Sequence, residues 1–206
     1  MLKHSVDFFD RQFRAAAGDT GSATTALNPF EAAILPYLAG RVLDLGCGLG
    51  NLACAAARKG CQVTAMDASL AAIDSLEQRS KTENLGIETH RADLADFRID
   101  ATYDAAVSIG LLMFVDCDRA RNALAGLQAC VHPGGIAAVN VLIVGTTFMD
   151  MFDPAEYCLF TANELEHCFA GWEVLLTDVR DFPGPKATIK RFSTIIARKP
   201  TLAAAG

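Results

Sequence analysis

The chain lacks an apolar stretch long enough to cross a bilayer. Its longest apolar stretch covers residues 136–144 and is interrupted by Asn140, whereas a spanning helix needs about 20 residues. The first residues are charged and include no apolar segment of the kind that secretory signals carry. We therefore predict no membrane contact and a cytoplasmic location.

Basic residues are also in the minority. The chain has 18 Lys and Arg against 24 Asp and Glu, which gives a net charge of −6 at pH 7. Proteins that follow a nucleic-acid backbone neutralise its phosphates with clustered Lys and Arg side chains. The composition therefore predicts no nucleic-acid partner, and it leaves the oligomeric state open.

Paired spacings of metal ligands and of disulfide cysteines are missing as well. The seven cysteines are an odd number, and no two of them stand in a C-x-x-C spacing. The four histidines have no recognisable partner spacing. We predict reduced cysteines that act as small core residues, without a disulfide framework or a metal site.

The chain does have a regular alternation of strand and helix patterns. Its 206 residues, 51% of them hydrophobic, fit one globular domain. Repeated βα units need right-handed crossovers and a parallel sheet that is covered on both faces. The predicted strands are 41–45, 62–66, 87–89, 103–108 and 136–143, and the predicted helices are 29–38, 51–59, 70–84 and 119–131.

The C-terminal third follows a different pattern. Thr161 and Glu164 form a capping box for a short helix, and two β-like runs, 172–179 and 191–197, flank a Pro/Gly turn that suits an antiparallel hairpin. We predict an α/β fold with a single doubly wound, mostly parallel seven-stranded sheet, helices on both faces and an antiparallel C-terminal hairpin. The domain would cover 28–199, between a mobile N-terminal segment, 1–27, and a frayed tail, 200–206.

Three glycines stand at alternate positions where the first strand turns into a helix. Gly46, Gly48 and Gly50 carry no Cβ, so a ligand can rest against main-chain N–H groups there. Alone, this pattern is weak evidence, because ordinary turns also use glycine. The next strand ends at Asp67, 19 residues after Gly48, which is about where nucleotide-binding βαβ units place a carboxylate against ribose hydroxyls. The alternative is that Asp67 caps the helix that begins near Ser69.

The residues around this loop bear on the kind of cofactor. Position 51 is Asn where a dinucleotide fold favours glycine, so the pattern for close approach of a pyrophosphate is incomplete. No Tyr is followed four residues later by Lys, the usual proton-donor pair of short-chain dehydrogenases. A nucleoside cofactor without a pyrophosphate is favoured, and an NAD(P)-dependent oxidoreductase is the alternative.

Residues 42–50 resemble motif I of the class I S-adenosylmethionine-dependent methyltransferases, and Asp67 matches the second acidic position of that family. The resemblance continues through residues 91–94, where Asp93 would accept from the adenine amino group and Leu94 would cover the ring. On spacing alone, Asp93 could equally cap the following turn. The resemblance extends over residues 28–199 and implies S-adenosylmethionine as the cofactor.

Within this superfamily the chain is most similar to the TehB-like, tellurite-resistance group. The similarity rests on residues 111–114, on Phe160 with 164–165, on 171–173 and on 191–199. Phe9 and Phe13 stand where that group has a spaced aromatic pair. The group also has a His-Arg pair in its last hairpin, and residues 180–186 of this chain contain no His. This departure leaves an oxyanion acceptor in question.

Ligands of open parallel sheets bind beyond the carboxyl ends of the strands. The expected cofactor-binding residues are Asp44, Gly46, Cys47, Gly48, Gly50, Asp67, Ala68, Asp93, Leu94, Ser108 and Ile109. Because its position needs a small side chain, Cys47 is interpreted as a packing residue and not as a nucleophile. The expected acceptor pocket comprises Phe9, Phe13, Met113, Phe114, Phe148, Phe152 and Phe160. The alternative for Met113, Phe114, Phe148, Phe152 and Phe160 is a satellite core, and the alternative for Phe9 and Phe13 is a helix stripe that packs on the sheet edge.

The resemblance predicts methyl transfer to a small-molecule acceptor by in-line displacement. The acceptor would be a thiol, a chalcogen oxyanion or another small heteroatom nucleophile, and no catalytic residue can be named. Such a reaction requires alignment and exclusion of water more than covalent machinery. Lys186, Lys190 and Arg191 could attract an anionic acceptor, although a charged hairpin is usually just solvated. The missing His-Arg pair also leaves a non-catalytic, cofactor-sensing protein as an alternative.

Overall fold

A computed structural model describes residues 3–18, 26–93, 99 and 101–201 of the chain. Its seven strands form one sheet in the order β3-β2-β1-β4-β5-β7-β6. Strands β1 to β5 run parallel, and β7 lies antiparallel between β5 and β6. The strands are β1 (Arg41–Leu45), β2 (Gln62–Asp67), β3 (Glu88–Arg91), β4 (Tyr103–Ile109), β5 (Val131–Leu142), β6 (Glu173–Pro183) and β7 (Ile189–Arg198). The predicted fold class, including the antiparallel C-terminal hairpin, is confirmed.

Six helices accompany the sheet in the described ranges. They are α1 (Lys3–Gly18), α2 (Pro29–Ile34), α3 (Asn51–Arg58), α4 (Leu70–Glu83), α5 (Cys117–Ala129) and α6 (Glu164–Cys168). None of them is both long and apolar enough to cross a bilayer. A capping box opens α2: the Asn28 side chain accepts from the backbone of Phe30 and Glu31, and the Glu31 side chain accepts from the backbone of Asn28.

Alternate side chains of the strands supply two cores, one on each face of the sheet. Leu43 in β1 packs with Leu124 of α5 and the aromatic residues of the C-terminal third. The neighbouring Val42 packs on the opposite face with Leu52 of α3 and Leu76 of α4. This alternation with a period of two explains why both faces are covered.

The N-terminal helix α1 lies within the predicted mobile segment, 1–27. It packs against α4, and the Asp10 carboxylate accepts a hydrogen bond from the Ser69 hydroxyl, the N-cap of α4. The mobility of this segment stays a prediction. Residues 1–2, 19–25 and 202–206 lie outside the described residues, as does Leu94.

The prediction of cysteines without a disulfide is wrong for one pair. Cys117, the first residue of α5, is bonded to Cys158 in the segment after β5, 41 residues away in sequence. The remaining five cysteines are free thiols, and four of them are buried as predicted. No sequence spacing could indicate the pair, because only the folding of the segment after β5 onto α5 brings the two residues together.

Candidate cofactor and acceptor site

A crevice of about 360 Å³ opens at the carboxyl ends of β1, β2 and β4. This is the point at which the strand order reverses, with β2 on one side of β1 and β4 on the other. The crevice is lined by Val6, Phe9, Phe13, Asn28, Glu31, Asp44, Gly46, Cys47, Gly48, Leu49, Gly50, Asn51, Leu52, Asp67, Ser69, Ile109, Gly110, Leu111 and Phe114.

The glycine loop between β1 and α3 forms the floor of the crevice. Gly50 has φ +70°, and a Cβ at this residue would lie 2.5 Å from a methyl carbon of Leu76. At Gly48, which has φ +51°, a Cβ would lie 3.4 Å from the Phe13 ring. Only glycine can adopt this left-handed backbone at position 50 and also leave room for the Leu76 side chain. The loop therefore offers a bare main-chain surface to a ligand.

Most N–H groups of the loop are already bonded within the protein. Those of Gly46 and Cys47 donate to the Met66 carbonyl at 2.7 and 3.0 Å, and that of Gly50 donates to the Cys47 carbonyl at 2.8 Å. The N–H of Gly48 donates to the Asp67 carboxylate at 2.9 Å. The expectation that a ligand rests on free main-chain N–H groups is therefore not met at these four residues. At these residues the loop lets a ligand approach the main chain closely, but it offers the ligand no free N–H donor.

Arg79 of α4 holds the outer side of the loop. Its guanidinium donates to the carbonyls of Leu49 and Gly50, and to the Asn51 side chain at 2.9 Å, while its Nε lies 2.9 Å from the Cys54 sulfur. All four contacts are made by one rigid planar group, and the three contacts to Leu49, Gly50 and Asn51 fix the loop relative to α4. The sequence analysis missed Arg79, because a residue about 30 positions away gives no local signal.

Asp67 joins the loop to the start of α4. One carboxylate oxygen accepts from Gly48, and the other accepts from the Ser69 backbone at 2.8 Å. Burial raises the pKa of this carboxyl, and the hydrogen bonds from Ser69 and Gly48 oppose the rise. The helix cap itself is Ser69, whose hydroxyl accepts from the Ala72 backbone at 3.1 Å. Capping therefore does not account for the position of Asp67, and its ribose role stays a prediction.

Two further carboxyl groups face the crevice. Asp44, at the end of β1, is 4% exposed, and its Oδ2 accepts no hydrogen bond from the described residues. Burial, with the negative charges of Glu31 and Asp67, raises its pKa to about 7. Burial also raises the pKa of Glu31. No sequence pattern indicated that Glu31 reaches the crevice, because the direction of its side chain depends on how α2 packs.

Aromatic rings from separate segments form the other wall. The Phe9 ring stacks on Phe13 with centroids 5.8 Å apart, and it meets the edge of Phe114 at 5.0 Å. Phe114 in turn contacts Phe152 at 5.2 Å, behind the crevice surface. This wall is apolar, so it can desolvate a group that lies against it.

Comparison with known proteins places the chain in a family. The family model described as Tellurite resistance protein TehB matches residues 8–181. The chain belongs to the TehB family. A relative, the "Probable S-adenosyl-L-methionine-dependent methyltransferase TehB" of Haemophilus influenzae strain 10810, is 28% identical over 203 residues, which are 94% of this chain and 66% of the relative.

Solved structures agree with this assignment. The crystal structure of TehB from Haemophilus influenzae has a TM-score of 0.75 and 25% identity, and the match covers 87% of this chain and 65% of that one. Coclaurine N-methyltransferase bound to N-methylheliamine and S-adenosylhomocysteine has a TM-score of 0.66 and 17% identity over 86% of this chain and 75% of that one. The latter shows a shared fold. The chain spans just under two thirds of the length of the two TehB proteins.

The structure brings some predicted cofactor residues of this TehB-family chain together. Those that line the crevice are Asp44, Gly46, Cys47, Gly48, Gly50, Asp67 and Ile109. Ala68 borders a small adjoining cavity next to Asp67, whereas Ser108 and Asp93 do not line the crevice. Burial raises the pKa of the Cys47 thiol well above its usual range, with the charges of Asp44 and Asp67 adding to the effect. This supports packing over nucleophilic chemistry.

The predicted acceptor residues are divided between the crevice wall and the core. Phe9, Phe13 and Phe114 line the crevice. A cluster behind the wall contains Met113 and Phe152, with Phe148 packed against it. Phe160 is fully buried in the core on the α5 face and does not reach the crevice. No sequence pattern separated these positions, because all of them are apolar residues outside a regular period.

The charged residues of the hairpin formed by β6 and β7 make contacts away from the crevice. Arg191 pairs with Asp181 through two contacts of 2.7 Å, and the Lys190 ammonium lies 4.5 Å from the centre of the Phe148 ring. Among the described residues that line the crevice there is no Lys, Arg or His. The missing His-Arg pair is therefore not replaced by another cation in this lining.

Proposed function

We propose that this TehB-family protein catalyses S-adenosylmethionine-dependent methyl transfer to a small-molecule acceptor by in-line displacement. The observation that carries the proposal is the glycine loop, whose bare surface lies beside the Asp67 carboxylate while its own N–H groups are bonded internally. A pyrophosphate needs free N–H donors at such a loop. A nucleoside without phosphates needs only close approach and an acceptor for its ribose hydroxyls.

The residues present fit S-adenosylmethionine. The glycine loop leaves a bare surface at Gly48, where a Cβ would lie 3.4 Å from the Phe13 ring of the crevice wall, and Asp67 would accept from ribose hydroxyls. Buried Asp44 has an oxygen that lacks a donor, which suits a cationic ligand. When bound, the cofactor supplies a methyl group on a sulfonium, which is already a strong electrophile. The TehB relatives carry the name of this cofactor, which supports the same choice.

The chain's own residues would align the acceptor and exclude water. Phe9, Phe13 and Phe114 form an apolar wall beside the loop, and an acceptor atom against this wall loses its hydration. The described lining offers three carboxyl groups and no cation. This electrostatic environment favours an acceptor that enters the crevice as a neutral molecule, such as a thiol, an amine or another small heteroatom compound, over a chalcogen oxyanion. An amine attacks with its lone pair and then gives up its proton to solvent, whereas a thiol gives its proton to solvent first and reacts as the thiolate, so neither needs a strong general base in the site.

Transfer of an isotopically labelled methyl group tests the proposal. The protein is incubated with methyl-labelled S-adenosylmethionine and a panel of thiols, selenite, tellurite, amines and small heterocycles, and S-adenosylhomocysteine and labelled product are quantified. We expect turnover with at least one neutral acceptor and slower turnover with the oxyanions. Cofactor binding without turnover on any acceptor would favour a cofactor-sensing protein. Thermal protection by NAD or NADP and not by S-adenosylhomocysteine would favour the oxidoreductase.

A further inference from the structure

Strand β6 is the last strand of the sheet, and one of its edges has no neighbouring strand among the described residues. Its other edge pairs with β7 along residues 173–183. An unpaired edge presents a row of N–H and C=O groups that another strand can bond. β6 also carries two exposed valines, Val174 at 46% and Val179 at 52%. This edge is therefore open to pairing with a further strand.

The residues of β6 that share one face follow a symmetrical order. Successive residues of a strand point to opposite faces, so Leu176, Asp178, Arg180 and Phe182 lie on the same side of the sheet. Along this side an apolar residue is followed by an acid, and a base is followed by a second apolar residue. The chemical pattern is therefore complementary to its own reverse, with Val179 at its centre.

A two-fold axis through Val179 would place opposite charges against each other. In an antiparallel pair of β6 strands, Asp178 of each copy would lie opposite Arg180 of the other, and Leu176 would lie opposite Phe182. An axis through Asp178 or through Arg180 would instead oppose two like charges, which destabilises a strand pair. Asp178 and Arg180 already form an ion pair within one chain at 2.9 Å, and both side chains stay partly exposed. The four charges of two copies would thus alternate in sign.

We propose that two copies of this chain associate through their β6 edges, in antiparallel orientation and with a two-fold axis at Val179. The two sheets then continue as one sheet through both copies, as a closed two-fold contact allows. The charge order selects a second copy as the occupant, because it complements itself only under this symmetry. Strands β5 and β7 separate β6 from β4, the nearest strand that leads into the crevice, so both crevices stay open. The inference does not depend on the proposed function.

The area of such a contact sets its strength. Stable protein–protein interfaces bury about 1,200 Å² or more, and the pairing of two strand edges buries less. We therefore expect a dissociation constant of roughly 10 to 100 µM. Sedimentation velocity of the full chain at increasing concentration measures it. A chain that stays monomeric up to about 500 µM overturns the inference.

Exchange of charges tests the register. Asp178→Lys alone puts a lysine opposite Arg180, and Arg180→Glu alone puts a glutamate opposite Asp178, so each variant should dimerise about 10-fold or more weakly. An equimolar mixture of the two variants brings opposite charges together again. It should form a mixed dimer, which native mass spectrometry identifies by its mass. The double variant Asp178→Lys/Arg180→Glu should dimerise like the wild type.

The two exposed valines supply a second test with a matched control. Val179→Lys brings two lysines together at the axis and should weaken dimerisation about 10-fold or more. Val174→Lys adds the same charge to the same strand, but in this register position 174 lies opposite Gly184, beyond the end of β6. Its dissociation constant should change less than about twofold. Melting temperatures and affinities for S-adenosylhomocysteine should stay close to wild type in all variants, because these side chains are partly or fully exposed and lie away from the crevice.

Other outcomes contradict the inference in distinct ways. Equal dimerisation of wild type and Val179→Lys would show association through another surface. Folded charge variants that stay monomeric when mixed would show that they disturb the strand and not a contact between copies. If the charge variants do not fold, the comparison of Val179→Lys with Val174→Lys decides alone. A wild type that dimerises but does not bind S-adenosylhomocysteine would remove the proposed function and leave this inference in place.

Discussion

The two ends of the crevice are built in different ways. At the cofactor end, Asp44, the glycine loop and Asp67 follow neighbouring strands and are held by backbone hydrogen bonds and by Arg79. At the acceptor end, rings come from α1, from the turn after β4 and from the segment after β5. The cofactor end is therefore shaped by the backbone of the fold, and the acceptor end by side chains. We therefore expect substitutions of the rings that do not touch the loop, such as Phe114, to change the acceptor end without altering the glycine loop.

The largest expected effect comes from the disulfide that ties the segment after β5 to α5. Opening a closed loop of 41 residues restores chain entropy to the unfolded state, worth about 4 kcal/mol in the entropy model. The double variant Cys117→Ser/Cys158→Ser should therefore lose about 2 to 4 kcal/mol of unfolding free energy in urea titrations. Its affinity for S-adenosylhomocysteine should stay within about twofold of the wild type, because the bond lies outside the cofactor end.

Cys168→Ser, which changes a free thiol, is the matched control and should be close to neutral. If the double variant lost cofactor affinity along with stability, the two ends would not be independent.

The location of the protein is a related proposal. Disulfides persist mainly in oxidising compartments, whereas the sequence analysis predicted the cytoplasm because it found no secretory signal. Labelling of thiols in cells would show which redox state this pair adopts there.

The next effect concerns Gly50. Alanine at this position would meet Leu76 at 2.5 Å and would have to adopt a positive φ. We expect a loss of about 2 to 3 kcal/mol of unfolding free energy and at least about 30-fold weaker binding of S-adenosylhomocysteine, because the loop must shift. Gly60→Ala is the control, since Gly60 also has a positive φ but no heavy atom lies within 4 Å of its Cβ position. Equal cofactor losses in both variants would refute the role of the loop's shape.

A smaller effect is expected at Asp67. Asp67→Asn keeps the size of the side chain but removes the charge-assisted contact to ribose, so binding of S-adenosylhomocysteine and of methylthioadenosine should both weaken about 10-fold or more. Calorimetry of the two ligands measures this, with Asp74→Asn on the exposed face of α4 as the control. Unchanged affinity would mean that Asp67 only accepts hydrogen bonds from Gly48 and Ser69 and does not bind the ribose.

The smallest effect is a pH dependence at Asp44, whose pKa is about 7 and whose surroundings include Glu31, Asp67, Cys47 and, behind the loop, Arg79. A cationic ligand binds the ionised carboxylate, so the affinity for S-adenosylhomocysteine should rise by up to about 10-fold between pH 6 and pH 8. The ligand-free protein should show the opposite trend. A folded pKa above the unfolded value of 3.8 means that this group's stabilisation is lost as pH rises through about 7. Both trends should be absent from Asp44→Asn.

The same contrast explains what the sequence could predict. The glycine loop and Asp67 were predictable because strand ends, turn glycines and a fixed spacing are local signals, and the alternation of elements indicated the sheet. The loop contacts of Arg79, the position of Glu31 in the crevice lining and the disulfide were not predictable, because each depends on contacts between residues far apart in sequence. Phe114 and Phe160 are both apolar residues after a strand. Their positions differ because of tertiary packing: Phe114 lines the crevice, whereas Phe160 lies in the core.

The most direct test of the central claim is a crystal structure of the full chain with S-adenosylhomocysteine. The account predicts the nucleoside on the glycine loop and ribose hydroxyls within hydrogen-bond distance of Asp67. A ligand bound elsewhere, or an Asp67 side chain turned away from the ribose, would contradict it.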